Sequence, residues 1–174
     1  MRELGDTSDE QATLDQVRIN VAFEQMVVAV LMGAFVGGAL TLLLNVMQGL
    51  TDGLSFVGFV SSLLQALFVS ILIFLSGFGA SVIFGAPFFA ALEKRKQRNV
   101  WPYLGAGLSV AIAAFVVLSV AFPSAGGFTF KTIAAIFVPP VIVAGVFAKG
   151  MQPHWRAAEK AESEQNGPIV FRIH

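Results

Sequence analysis

Ionisable side chains are nearly absent from two long stretches of this 174-residue chain. Between residues 26 and 92 the only one is Asp52, and between residues 100 and 150 there are three: Tyr103, Lys131 and Lys149. Only 13% of all residues are charged, about half the share typical of soluble domains. Because a charge at the centre of a bilayer costs about 2.5 to 3.5 kcal/mol, this segregation is typical of transmembrane helices.

The apolar stretches predict an all-α integral membrane protein with four transmembrane helices in a compact bundle. A helix of about 20 residues spans a hydrocarbon core of about 30 Å, and the four predicted spans are residues 26–47, 66–86, 101–122 and 132–149. Residues 54–65 are either an interfacial helix or the outer end of a tilted second span. We expect the second helix to extend past Pro87 or break near it, and the fourth to be kinked at Pro139-Pro140, because proline removes a backbone donor.

Polar tails are predicted on both sides of this membrane domain. Residues 1–25 contain a capping box, in which Ser8 and Gln11 exchange side-chain and backbone hydrogen bonds, followed by apolar residues at helical spacing. A short amphipathic helix is therefore expected to lead into the membrane. Residues 150–174 form the second tail.

Four basic residues follow the second span in the stretch "FFAALEKRKQRN": Lys94, Arg95, Lys96 and Arg98. Four crossings would place this stretch and both tails on one side, with ten lysines and arginines, against Lys131 alone on the other. The positive-inside rule makes the basic side cytoplasmic, so we expect these four residues to anchor the helix at lipid headgroups. A short loop offers no folded basic face, so nucleic acid is not an expected partner.

Few residues could support catalysis or hold a cofactor. The chain has no cysteine, both histidines lie in the C-terminal tail, and no phosphate-binding glycine motif is present. Glu24 lies at the start of the first span, where we expect an interfacial position. The sequence therefore predicts a protein that is not an enzyme and has no cofactor, metal or catalytic residue.

Small residues recur every four positions in the first and third spans. In the first span they are Ala29, Gly33, Gly37 and Thr41, and in the third they are Gly105, Ser109 and Ala113. Small side chains let helix backbones approach closely, and such packing drives helix association in lipid. Each face could pack inside the chain or against a second copy or a partner membrane protein. Interhelical hydrogen bonds are expected from Asn45, Gln48 and Gln65.

The stretch "FGAPFFAALEKRKQRNVWPYLGAGLSVAIAAF" resembles a layout found in small uncharacterised bacterial inner-membrane proteins with four helices. In that layout a Gly-x-Pro element and a basic loop end the second helix, and an aromatic residue and closely spaced glycines open the third. The matching residues are Gly85, Pro87, Trp101, Tyr103, Gly105 and Gly107. The resemblance implies a multi-pass protein of the bacterial inner membrane and no particular substrate.

The sequence predicts the function of the protein only in general terms. The leading hypothesis is a structural or accessory membrane subunit that packs through small-residue helix faces. The alternative is a small transporter or pore component assembled as an oligomer, with Pro139-Pro140 shaping its path. A continuous exposed small-residue face would favour assembly, whereas buried ionisable residues lining an internal cavity would favour transport.

Overall fold

The computed structural model describes residues 3–53, 55–121 and 129–165, and all regular structure within these ranges is helical. The helices are α1 (Glu3–Asp52), α2 (Phe56–Ala80), α3 (Ala86–Lys94), α4 (Val100–Ala121) and α5 (Phe130–Gln165), with a π-helical segment, Ser81–Gly85, joining α2 to α3. The predicted all-α class is confirmed.

Four segments are long and apolar enough to cross a membrane, as the sequence predicts. They are Ile19–Asp52, Phe56–Lys94, Val100–Ala121 and Phe130–Ala161. Most of their large apolar side chains are exposed: Phe35 is 71% and Val120 is 75% exposed, for example. In water such a surface would be strongly unfavourable, so the exposed faces are those expected to contact lipid.

Helix α1 is longer than the predicted first span. Its 50 residues would rise about 75 Å, more than twice the thickness of the hydrocarbon core. The predicted lead-in helix and the first span are therefore one continuous helix. Neither glycine nor proline occurs between residues 6 and 32, so no residue in this stretch favours a break.

The second crossing is also longer than predicted, because helix begins at Phe56 and continues to Lys94. Ser55 caps its start, where the Ser55 hydroxyl accepts a hydrogen bond from the Gly58 amide at 3.1 Å. Near Pro87 the chain widens into the π-helical segment, in which the Ala86 amide donates to the Ser81 carbonyl. This wider turn lets the helix pass the missing amide of Pro87 without ending.

Helices α1 and α5 are central in the arrangement. Helix α2 packs against α1, α1 packs against α5, and α5 packs against α4. Helix α5 remains helical through Pro139, Pro140 and Pro153. At one end α3 joins α4 and α5 through aromatic rings, because Phe88 lies 6.0 Å from Tyr103 and Phe89 lies 5.7 Å from Phe147 between ring centroids.

Candidate functional site

The contact between α1 and α5 is built from two glycines and a proline. A β-carbon on Gly37 would lie 3.1 Å from Pro139 Cγ, and one on Gly33 would lie 3.2 Å from the Pro139 carbonyl oxygen and would overlap Val143. Both glycines are buried. Only residues without a side chain let the two backbones come this close, so Gly33 and Gly37 lie in the helix contact.

The other two residues of the predicted face on α1 are buried as well. Ala29 is completely buried and Thr41 is 9% exposed. The Thr41 hydroxyl donates to the carbonyl oxygen of Gly37, one turn earlier, at 2.9 Å. This bond satisfies the only polar group of the face within its own helix, so the face needs no polar partner in lipid.

Helix α4 approaches the same proline pair from another side, through Gly107. A β-carbon on Gly107 would lie 2.7 Å from the Pro140 carbonyl oxygen and 2.7 Å from Ala144 Cβ. Tyr103 and Ala111, one turn before and after, are 5% and 0% exposed. The Pro139-Pro140 pair is thus contacted by glycines of two helices, Gly33 and Gly37 from α1 and Gly107 from α4.

The predicted face on α4 points elsewhere. Gly105, Ser109 and Ala113 are exposed, and a β-carbon on Gly105 would meet nothing within 4 Å. Gly107 and Ala111 also lie four residues apart, but they project from nearly the opposite side of the helix, two residues or about 200° further on. The structure therefore does not bring Gly105, Ser109 and Ala113 into the packing among the described helices.

The sequence reasoning missed the contact between α1 and α2. A β-carbon on Gly38 would lie 3.0 Å from the Ala66 carbonyl oxygen and 3.2 Å from Ser70 Cβ. Ala66 is 6% and Ser62 is 9% exposed. These residues also recur every four positions, so the spacing of Ser62, Ala66 and Ser70 was a usable signal.

The turn after α3 carries the four predicted anchor residues and divides them into two groups. Lys94, Arg95 and Lys96 are exposed. The side chain of Arg98 is only 5% exposed, and its Nε lies 3.7 Å from Glu93 Oε1. Arg98 therefore folds back onto its own turn and forms an ion pair with Glu93. For Lys94, Arg95 and Lys96, which are exposed, headgroup contact stays a prediction.

Backbone hydrogen bonds explain how Arg98 returns to Glu93. The Gln97 amide donates to the Leu92 carbonyl at 3.0 Å, and the Lys96 amide donates to the Glu93 carbonyl at 2.9 Å. This is a Schellman motif, which requires a left-handed residue just after the helix; Lys96 supplies it with φ of 54°. Glycine normally takes this position because a β-carbon is strained there.

An aromatic cluster lies beside this turn and joins four helices. It contains Ala22 of α1, Leu92 of α3, Tyr103 of α4 and Trp155 of α5. The Tyr103 and Trp155 rings stack with centroids 5.3 Å apart, and Trp155 is 3% exposed. The cluster fixes the basic turn against the long helix α5.

The opposite end of the molecule carries a chain of polar contacts. Lys131 Nζ donates to Asn45 Oδ1, and Asn45 Nδ2 donates to Gln65 Oε1 at 3.1 Å. The predicted interhelical hydrogen bonds of Asn45 and Gln65 are thus present, and they link α1, α2 and α5. Gln48 lies beside them and lines the same open pocket.

The remaining candidate residues do not form a reactive constellation within the described ranges. Glu24 is exposed on α1 and His154 is exposed on α5. Nowhere in residues 3–53, 55–121 and 129–165 do three histidine, aspartate or glutamate side chains gather as they would around a metal ion. The described residues form close-packed helix contacts and a polar cluster at each end of the molecule.

Comparison of the chain with protein family models, with curated proteins and with solved structures finds no match. The resemblance to bacterial four-helix membrane proteins therefore stays a prediction. What can be inferred about function rests on the geometry of the helices.

Proposed function

We propose that the protein is a non-enzymatic structural or accessory subunit of a membrane, and that it assembles with a second copy of itself through the outer face of α4. That face consists of Gly105, Ser109 and Ala113. We also propose that the four spans form a compact bundle in a bacterial inner membrane. The proposal also includes a bend of the fourth span at Pro139-Pro140, where two missing amides weaken the backbone ladder.

The observation that carries the proposal is that this face is small and exposed. A β-carbon on Gly105 would meet nothing within 4 Å, and the Ser109 hydroxyl donates to the Gly105 carbonyl of its own helix at 2.8 Å. Exposed Trp101 precedes the face and exposed Val117 follows it at the same four-residue spacing. Three small residues between two large ones would let another helix pack closely against this face of α4.

Helix α4 therefore has two small-residue faces on nearly opposite sides. Gly107 and Ala111 face α5 inside the chain, and Gly105, Ser109 and Ala113 face outward. In lipid, apolar burial gives no driving force between helices, so close van der Waals packing is what favours association. Packing within the chain does not require a small residue at position 105, because a larger side chain would fit there in a monomer. The presence of glycine therefore favours a partner helix at this position.

The orientation of the protein is inferred from charge. The basic turn and both tails would share one side, with ten lysines and arginines in the sequence, against Lys131 on the other. This asymmetry supports a cytoplasmic location of the turn and the tails. The exposed side chains of Lys94, Arg95 and Lys96 would then contact anionic headgroups.

The alternative of a transporter or pore would need a polar path across the membrane. The four predicted spans, residues 26–47, 66–86, 101–122 and 132–149, contain a single charged residue, Lys149, and it lies at the end of the fourth span. Coupled transport usually needs an ionisable residue at membrane depth. This distribution favours the structural role.

Cysteine cross-linking tests the proposed assembly directly, because the natural chain contains no cysteine. Single substitutions Ser109→Cys and Ala113→Cys, oxidised in native membranes, should give a covalent dimer. Val110→Cys is the matched control, since Val110 is also exposed on α4 but lies about 100° around the helix from Ser109.

A second experiment asks whether the small size of the face matters. Gly105→Leu and Ser109→Leu should abolish cross-linking through Ala113→Cys, whereas Ala39→Leu, a small-to-large change at an exposed position of α1, should not. Equal cross-linking at positions 109, 110 and 113 would refute the proposed face. Cross-linking of Ser109→Cys to a different protein would show that the partner is a second membrane protein.

A further inference from the structure

A pocket of about 320 Å³ opens at the end of the molecule that carries Lys131. Its walls come from three helices: Asn45 and Asp52 of α1, Ser62 and Gln65 of α2, and Lys131 of α5. Polar groups line it, although all three segments are otherwise apolar enough to span a membrane. A polar pocket at the end of apolar helices lies at headgroup depth rather than in the hydrocarbon core.

Two opposite charges face this pocket without neutralising each other. Lys131 and Asp52 both line it, but they form no ion pair with each other or with any other described residue. Lys131 is partly buried and Asp52 is exposed. Each charge is therefore available to a ligand, and a ligand bearing both signs would match the pair.

The hydrogen bonds around Asn45 leave defined groups for such a ligand. Asn45 accepts from Lys131 Nζ and donates to Gln65 Oε1, so its amide orientation is determined. Gln65 Nε2 makes no hydrogen bond with the described residues. Together with the remaining N–H groups of Lys131, it offers donors for an oxyanion, while the Asp52 carboxylate offers acceptors for an ammonium group.

Each of the three helices carries a large exposed apolar side chain directly beside a lining residue in the sequence. Leu50, Phe56 and Phe130 are 68%, 81% and 78% exposed. Acyl chains would cover such side chains, whereas a water-soluble ligand would leave them uncovered. These apolar side chains therefore favour a lipid, rather than a water-soluble molecule, as the ligand that carries both charges.

We propose that this pocket binds the headgroup of phosphatidylethanolamine, with the phosphate at Lys131 and Gln65 and the primary ammonium at Asp52. This ligand unites the features of the pocket: an oxyanion and an N–H-bearing cation a few bonds apart, attached to acyl chains. Phosphatidylglycerol has no cation for Asp52, and the ammonium of phosphatidylcholine has no N–H to donate.

Native mass spectrometry of the full-length protein in detergent tests the proposal, with each of the three lipids added in turn. Phosphatidylethanolamine should bind about tenfold more tightly than the other two, the size expected for a hydrogen-bonded charge pair. Asp52→Asn should remove this preference by weakening phosphatidylethanolamine to the level of phosphatidylglycerol. Lys131→Gln should weaken both lipids about tenfold. The matched controls Glu24→Gln on α1 and Lys149→Gln on α5 should change nothing, because both residues are exposed and outside the pocket.

Two results would overturn the proposal. Equal binding of the three lipids, unchanged by Asp52→Asn, would show that the pocket does not distinguish their headgroups. Competition by phosphoethanolamine without acyl chains, at the concentration at which the lipid binds, would show that a soluble ligand is the natural one. Asp52 is exposed, so Asp52→Asn remains a usable variant even if Lys131→Gln fails to fold.

Discussion

Adding a single methyl group at Gly107 should separate α4 from α5. The β-carbon of Gly107→Ala would lie 2.7 Å from both the Pro140 carbonyl oxygen and Ala144 Cβ, about 0.7 Å short of ordinary van der Waals contact at 3.4 Å. Neither contact is the end of a flexible side chain, so the helices themselves must move. A gap of about 0.5 to 1 Å forfeits a quarter to a half of each pairwise attraction along the contact. We therefore expect a loss of about 1 to 3 kcal/mol in the free energy of unfolding.

Gly105→Ala is the matched control, two residues away on the same helix. Nothing lies within 4 Å of its β-carbon, and alanine favours helix over glycine by up to about 1 kcal/mol. The two variants, identical in chemistry, should thus move stability in opposite directions. The contrast must be measured in a detergent that keeps the protein monomeric, since Gly105 is part of the proposed assembly face.

Unfolding can be followed by the fluorescence of Trp155, which is 3% exposed and stacked on Tyr103. The other tryptophan, Trp101, is 75% exposed and can be replaced by phenylalanine in all variants. If Gly107→Ala is as stable as the parent, or is stabilised like Gly105→Ala, the close contact between α4 and the Pro139-Pro140 pair is wrong.

Two further predictions concern the turn after α3. Lys96→Gly should raise the free energy of unfolding by up to about 1 kcal/mol, because Lys96 holds a positive φ that glycine adopts without strain. Ala90→Gly, at an exposed position inside α3, should lower it by about the same amount. Equal effects of the two variants in thermal unfolding would contradict the Schellman geometry. Arg98→Gln should lower the free energy of unfolding by about 1 to 3 kcal/mol, because it leaves the partly buried Glu93 carboxylate without its ion pair. Arg95→Gln loses the same charge at an exposed position and should change the free energy of unfolding by no more than about 0.5 kcal/mol. Similar melting temperatures for the two variants would show that Arg98 acts only as a surface cation.

The membrane-spanning character of the chain could be predicted because charge is a strong constraint in lipid. A single aspartate between residues 26 and 92 leaves few alternatives to apolar helices. The ends of the helices were harder to predict. Helix formation continues into water wherever no residue stops it, so α1 includes the polar stretch from Glu3, and α2 begins at its Ser55 cap.

The direction of a small-residue face could not be predicted from spacing alone. On α4 both the Gly105 series and the Gly107 series recur every four residues, and only the tertiary structure shows which one meets α5. The flanking residues do not distinguish the two series, because Trp101 precedes Gly105 and Tyr103 precedes Gly107 at the same four-residue spacing. The small-residue pattern therefore indicates close packing but not the partner that provides it.

Arg98 shows the same limit for charge patterns. Within "EKRKQR" its charge is equivalent to that of Lys94, Arg95 or Lys96, and all four count alike towards orientation. The left-handed turn at Lys96 reverses the chain and brings Arg98 back to Glu93, and this turn lacks the glycine that would have signalled it. The ion pair depends on that backbone geometry and could not be read from the order of the charges.

Labelling of single cysteines with a membrane-impermeant maleimide tests the central claim, a four-crossing membrane protein with a cytoplasmic basic turn. Thr51→Cys lies at the end of the first span and Gln97→Cys in the turn between the second and third, and both positions are exposed in a chain without natural cysteines. Intact cells should label Thr51→Cys but not Gln97→Cys, and permeabilised cells should label both. Labelling of Gln97→Cys in intact cells would reverse the orientation, and equal labelling of both variants before permeabilisation would contradict a membrane crossing between them.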